Sequence, residues 1–195
     1  MEWMWNPPVI LSALSLLGDK GVLGPPRRLD DIVELEQRFD IRLPETYRNF
    51  VLQIGDGGAG PGQGLWSLRR SIRWADRGVY APRYLATPFP FTARVPGEYF
   101  DELDVDGHHD DLLTGSMIIA EIGQGAYFRL VVTGATRGRI WRDDVCLPGG
   151  ALSPGLDFAD WYTNWLQRLG VLNGTPRGRR RRSHVRVQAE RVNAT

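Results

Sequence analysis

The sequence predicts an α+β fold, a single domain in which an antiparallel β-sheet meander is packed against helices. Three observations predict it. First, three short runs rich in β-branched and aromatic residues, Met117–Ile122, Tyr127–Val132 and Arg139–Trp141, are separated by the hairpin-length turns Gly123–Gly125 and Thr133–Gly138. Neither turn has room for a crossover helix, which excludes a parallel doubly wound sheet there. Second, Asp157–Leu169 places Phe158, Trp161, Tyr162, Trp165, Leu166 and Leu169 at helical spacing, a continuous apolar face suited to covering a sheet. Third, 195 residues with 42% hydrophobic and 24% charged side chains suffice for one sizeable core, and exclude collagen-like, wholly disordered and multi-span membrane classes.

The elements follow in order. The apolar run Val9–Leu17 is too short to span a bilayer. Glu2 stands where a signal peptide is positive, and no small-residue cleavage site follows, so the run reads as a short helix or apolar segment packing on the domain of a cytoplasmic protein. Gly24-Pro25-Pro26 marks a loop. Asp31 with Glu34 has capping-box spacing, and Ile32, Leu35 and Phe39 continue it as an amphipathic helix over 31–39. An extended link, Ile41–Leu43, precedes Pro44, which suits the first turn of a second helix with Tyr47, Phe50, Val51 and Ile54 inward and Gly55 at its end.

The stretch Gly55–Gly64 holds six glycines in ten residues. It lacks Gly-Lys-Ser/Thr and follows a helix rather than a strand, which favours a close-packed turn over a phosphate cradle. Leu65–Leu68 reads as a short strand, and 69–97 as a long irregular connection with one helical turn around Ile72–Ala75. Asp157 can cap the final helix, and Gly170 lies just past its end.

Three segments together carry a family resemblance. They are Leu43–Phe50 leading into Ile54–Leu65, then Ile119–Gly125 followed by Val131–Gly134 and Gly138–Trp141, and last Phe158–Tyr162 with Trp165-Leu166. Their order and spacing resemble the SUKH superfamily, which contains a fungal cell-wall-synthesis regulator and many bacterial immunity proteins. The resemblance runs from about residue 30 to 170. It implies the same α+β fold, no catalytic residues, and a non-catalytic protein-binding role. Its bacterial members are thought to neutralise a cognate polymorphic toxin, often a nuclease. On this reading the chain divides into an N-terminal extension (1–28), a SUKH-like domain (29–172) and a disordered, Arg-rich tail (173–195).

Charge supplies the candidate binding surface. Residues 176–195 carry seven arginines against Glu190 alone, a net of +6, whereas residues 1–175 hold 17 basic and 22 acidic residues, a net of −5. The acids concentrate at Glu98, Asp101, Glu102, Asp104, Asp106, Asp110 and Asp111, with no Lys or Arg among them. Clustered carboxylates fit a partner with a basic groove, as a nuclease has, and equally describe a solvated loop. Asp56 in the glycine loop is a lesser candidate, since a short acid there is also suited to bonding its own turn. The tail suits weak, non-specific and salt-sensitive nucleic-acid contact, or folding back on the acidic body.

Catalytic and metal readings are weaker. His108-His109 lies among acids, but adjacent histidines diverge, and Asp104–Gly107 places its glycine too early for a calcium loop. Cys146 is the single cysteine, which excludes an internal disulfide and a multi-Cys zinc site. No metal, cofactor or enzymatic activity is expected. The alternative to toxin neutralisation is a regulatory or scaffold domain that binds a cellular protein, with the basic tail contacting nucleic acid.

Overall fold

The computed structural model describes residues 6–76, 83–103 and 112–172. Its elements are α1 (Pro7–Ser15), a 3-10 turn (Gly18–Gly21), α2 (Leu29–Arg38), α3 (Glu45–Gln53), α4 (Leu68–Ala75), β1 (Val95–Pro96), α5 (Gly97–Leu103), β2 (Ser116–Gly123), β3 (Ala126–Val131), β4 (Arg139–Asp143), β5 (Ala151–Asp157) and α6 (Phe158–Arg168). The strands form one sheet in the order β1-β5-β4-β3-β2, with every pairing antiparallel. The expected meander therefore forms three consecutive strands, running from the central β4 to the β2 edge.

Strand alternation sends neighbouring side chains to two different cores. Met117, Ile119, Leu130, Val132 and Ile140 join the larger one, built with side chains from α1, α2, α3, α4 and α6. Val131, Trp141 and Leu152 join a smaller one with Phe89, Phe100, Leu113 and Val145. Beside that smaller core lies a buried ion pair, Arg129 Nε to Asp143 Oδ2 at 2.5 Å, with both side chains no more than 3% exposed. The sheet thus carries a helix-covered face and a face covered largely by connecting segments.

The last helix follows the expected plan. Asp157 accepts a hydrogen bond from the Asp160 N–H at 2.9 Å, and Phe158, Tyr162 and Leu166 are wholly buried. Leu169 falls at the helix C-cap and is exposed, while Thr163 takes a buried position instead. The N-terminal segment is helical as expected, and Pro7 opens α1 in the first turn, where a missing N–H costs nothing. Ile10, Ala13 and Leu14 enter the larger core, so this segment is part of the packed body.

Several boundaries differ from expectation, each for a local reason. Helix α2 begins at Leu29, with Arg28 rather than Asp31 at the N-cap. Arg27 donates its N–H to the Val51 carbonyl at 2.8 Å, and the chain turns into helix directly after that contact. Asp30 and Asp31 then sit in the first turn, where the helix dipole favours acids. Pro44 is the N-cap of α3 rather than its first helical residue.

The expected strand at 65–68 is one bridged residue followed by a helix. Leu65 bridges Gly58 and Ala120, the Trp66 N–H donates to Ile119 at 2.7 Å, and Ser67 caps α4 by accepting from the Arg70 N–H at 3.3 Å. Leu68, Ser71, Ile72 and Ala75 are its buried stripe, so two full turns replace the one expected. Strand β5 was not expected; it contains Pro154 and Gly155, two residues that weaken strand signals. Its pairing with β1 stops at Leu152, so Pro154 has no ladder partner to lose on that side.

The glycine loop is a structural turn. Gly58 has φ +100°, and a Cβ there would lie 2.4 Å from the Val22 carbonyl oxygen. The backbone N–H groups of Gly58, Ala59 and Gln63 donate to Leu65, Val22 and Glu121, so they are already committed within the protein.

Candidate protein-binding surface

Helix α5 positions the described part of the acidic stretch. Phe100 anchors it, 2% exposed in the smaller core and edge-on to Phe91 with ring centroids 5.8 Å apart. The Gly97 N–H holds the start of the helix by donating to the Gly150 carbonyl at 2.9 Å. With Phe100 inward, Glu98, Tyr99 and Asp101 are exposed. Tyr99 is 42% exposed, its ring edge-on to Phe91 at 5.9 Å and to Phe100 at 5.5 Å. Glu98 therefore lies between Tyr99 and Asp101 around a short, anchored helix. That combination supplies charge for steering and an amphipathic anchor with few rotamers to freeze.

The other sequence candidates are placed differently. Glu102 lies within α5. Asp104, Asp106, Asp110 and Asp111 lie outside the described residues, as do His108 and His109. Asp56 is 6% exposed and its carboxylate is already engaged. One oxygen accepts from Arg27 Nε at 2.6 Å and the other from the Leu68 N–H at 2.6 Å. Asp56 thus ties the start of α2 to the start of α4 instead of offering a free carboxylate at the surface. Sequence reasoning missed Tyr99, although an aromatic pair inside an acidic run signals a helix with one ring inward and one outward.

Two buried phenols adjoin the glycine loop and the main core. Burial pushes the Tyr47 hydroxyl well above its ordinary value of 10.0, the Asp56 carboxylate adds to the rise, and Arg27 opposes it. Burial alone raises Tyr162, whose hydroxyl donates to the Ala59 carbonyl at 2.9 Å. Both remain protonated at neutral pH, and Tyr162 ties α6 to the glycine loop. Among the described residues no group of three or more His, Cys, Asp or Glu side chains is placed to hold a metal ion. No described helix is long and apolar enough to cross a membrane.

An antiparallel sheet with helices packed on it, and a short acidic helix on its other face, defines an α+β domain. The chain belongs to the SMI1 / KNR4 family (SUKH-1), whose family model matches residues 27–164. Comparison with curated proteins and with solved structures gives no match. The family is generally non-catalytic and suggests a protein-binding role. The match begins after α1, although α1 packs into the same core.

Proposed function

We propose that this chain is an immunity protein that binds a cognate protein toxin and neutralises it by stoichiometric occlusion. The observation that carries this reading is α5, which presents Glu98, Tyr99 and Asp101 outward while Phe100 fixes it to the core. Family membership supports a protein as the partner. Exposed carboxylates suit a toxin with a basic substrate groove, as a nuclease has, and complementary charge accelerates association. Asp104, Asp106, Asp110 and Asp111 extend the same acidic sequence and belong to the proposed surface.

Strand addition is a poor route to this partner. One sheet edge is the two-residue β1, which ends in Pro96, and the other is partly occupied by residues 63–66. Recognition therefore runs through side chains.

The test is a pull-down from the native host with the full chain and with a form truncated after Thr175. A one-to-one complex with a toxin-like domain, retained by both forms, is the expected result. Recovery of nucleic acid or nucleoprotein by the full chain alone would overturn it in favour of the regulatory reading.

A further inference from the structure

A second surface lies between α2 and α4, away from α5, and its argument does not rest on the toxin reading. The two helices run side by side in the same direction, because their ends are tied pairwise. At the N-terminal ends, Asp56 accepts from both Arg27 and the Leu68 N–H. At the C-terminal ends, Arg38 Nη2 meets Asp76 Oδ2 at 2.8 Å. Between these ties is a groove of about 350 Å³. On α2 it runs from Asp31 to Phe39, a rise of about 12 Å or roughly two helical turns.

The floor and walls of the groove are apolar. Ile32, Leu68 and Ile72 are buried beneath it, and Leu35 and Phe39 are partly exposed along it. The rims carry opposite charge. Asp31 and Glu34 stand on the α2 side, Arg69 and Arg73 on the α4 side, and all four are exposed. Among the described residues no ion pair joins these two rims, which remain more than 4.0 Å apart in every such pairing. An apolar trough with unpaired acids on one lip and unpaired bases on the other complements a third body of defined polarity.

We infer that this groove is a docking site for an amphipathic helix of a partner protein. Its apolar ridge lies over Ile32, Leu35 and Ile72, its basic flank meets Asp31 and Glu34, and its acidic flank meets Arg69 and Arg73. A length of about two turns matches anchors at i, i+3 or i+4, and i+7.

The test uses the full chain and fluorescein-labelled synthetic helical peptides, read by anisotropy and by amide chemical shifts. The probe peptide has leucines along one stripe, glutamates on one flank and lysines on the other; a second peptide has lysines on both flanks. The mixed peptide is expected to bind, to shift amides of α2 and α4, and to bind at least about tenfold more tightly than the all-lysine peptide. Leu35→Glu should abolish binding. R69E/R73E, which alters only exposed side chains, should reverse the preference toward the all-lysine peptide. The E98R/D101R chain should bind the mixed peptide unchanged, which separates this site from the α5 surface. Equal affinity for both peptides, indifference to R69E/R73E, or saturable binding of laurate without peptide binding would overturn the inference.

Discussion

The two faces of the sheet are held by different means. On one face, five helices bring regular apolar stripes to a continuous core, and Phe158 alone meets Tyr47, Phe50, Trp161 and Tyr162 at 5.0 to 6.0 Å. On the other, a smaller cluster gathers Phe89, Phe100 and Leu113 from connecting segments, next to the buried Arg129–Asp143 pair. The first arrangement makes a rigid body. The second holds a short acidic helix through Phe100 and the Gly97 N–H, and leaves Glu98 and Asp101 exposed for a partner. Stability is concentrated on one side of the sheet, and the proposed recognition on the other.

Removing one ring from each face sharpens this contrast most. Phe158→Ala is expected to cost about 3–5 kcal/mol in denaturant unfolding, because a wholly buried ring in a tightly packed cluster leaves a cavity that cannot close. Phe100→Ala should fall at or below the bottom of that range. Its signature should be local, with faster amide exchange over 97–103 while β3 and α6 stay protected. Equal global losses would break the distinction between the faces.

The buried ion pair gives an effect of comparable size with a different chemical cause. Asp143→Ala removes the carboxylate that faces a buried guanidinium and should destabilise by about 3–5 kcal/mol. The double variant Arg129→Met/Asp143→Leu should recover most of the loss, since it removes both buried charges together. Failure to recover would mean that the pair organises the second face beyond its own charges.

Smaller effects report on the helix-covered side. Asp157→Ala removes the N-cap of α6 and should cost about 1 kcal/mol by thermal or denaturant melting. Tyr47 and Tyr162 have folded-state values raised above the ordinary 10.0. Their stabilising contribution is complete below that pH and is lost as pH rises above it, because the unfolded chain ionises first. Alkaline titration should show loss of helical circular dichroism above pH 10, with that alkaline loss reduced in Tyr162→Phe.

What the sequence disclosed follows the same division. Helix α6 and the β2–β3–β4 meander were legible because period, caps and turns agreed locally, as with Asp157 before Phe158 and the glycines at 123 and 125. Strand β5 was hidden because Pro154 and Gly155 are tolerated only through the early end of its pairing with β1. Helix α4 was obscured because arginines mask a stripe whose inward residues include Ser71 and Ala75. Of the candidate surface, the charge was readable and the placement was not. Asp56 and Asp101 look alike in sequence, but long-range contacts with Arg27 and Leu68 draw the first inside, while Phe100 turns the second outward.

The most direct test of the central claim is survival of cells that co-express the recovered toxin domain with the full chain or with its E98R/D101R variant. The account predicts that the wild-type chain protects and the charge-reversed chain, folded and equally abundant, does not. Equal protection by both would contradict the assignment of α5 as the neutralising surface, and failure of the wild-type chain to protect would contradict the function itself.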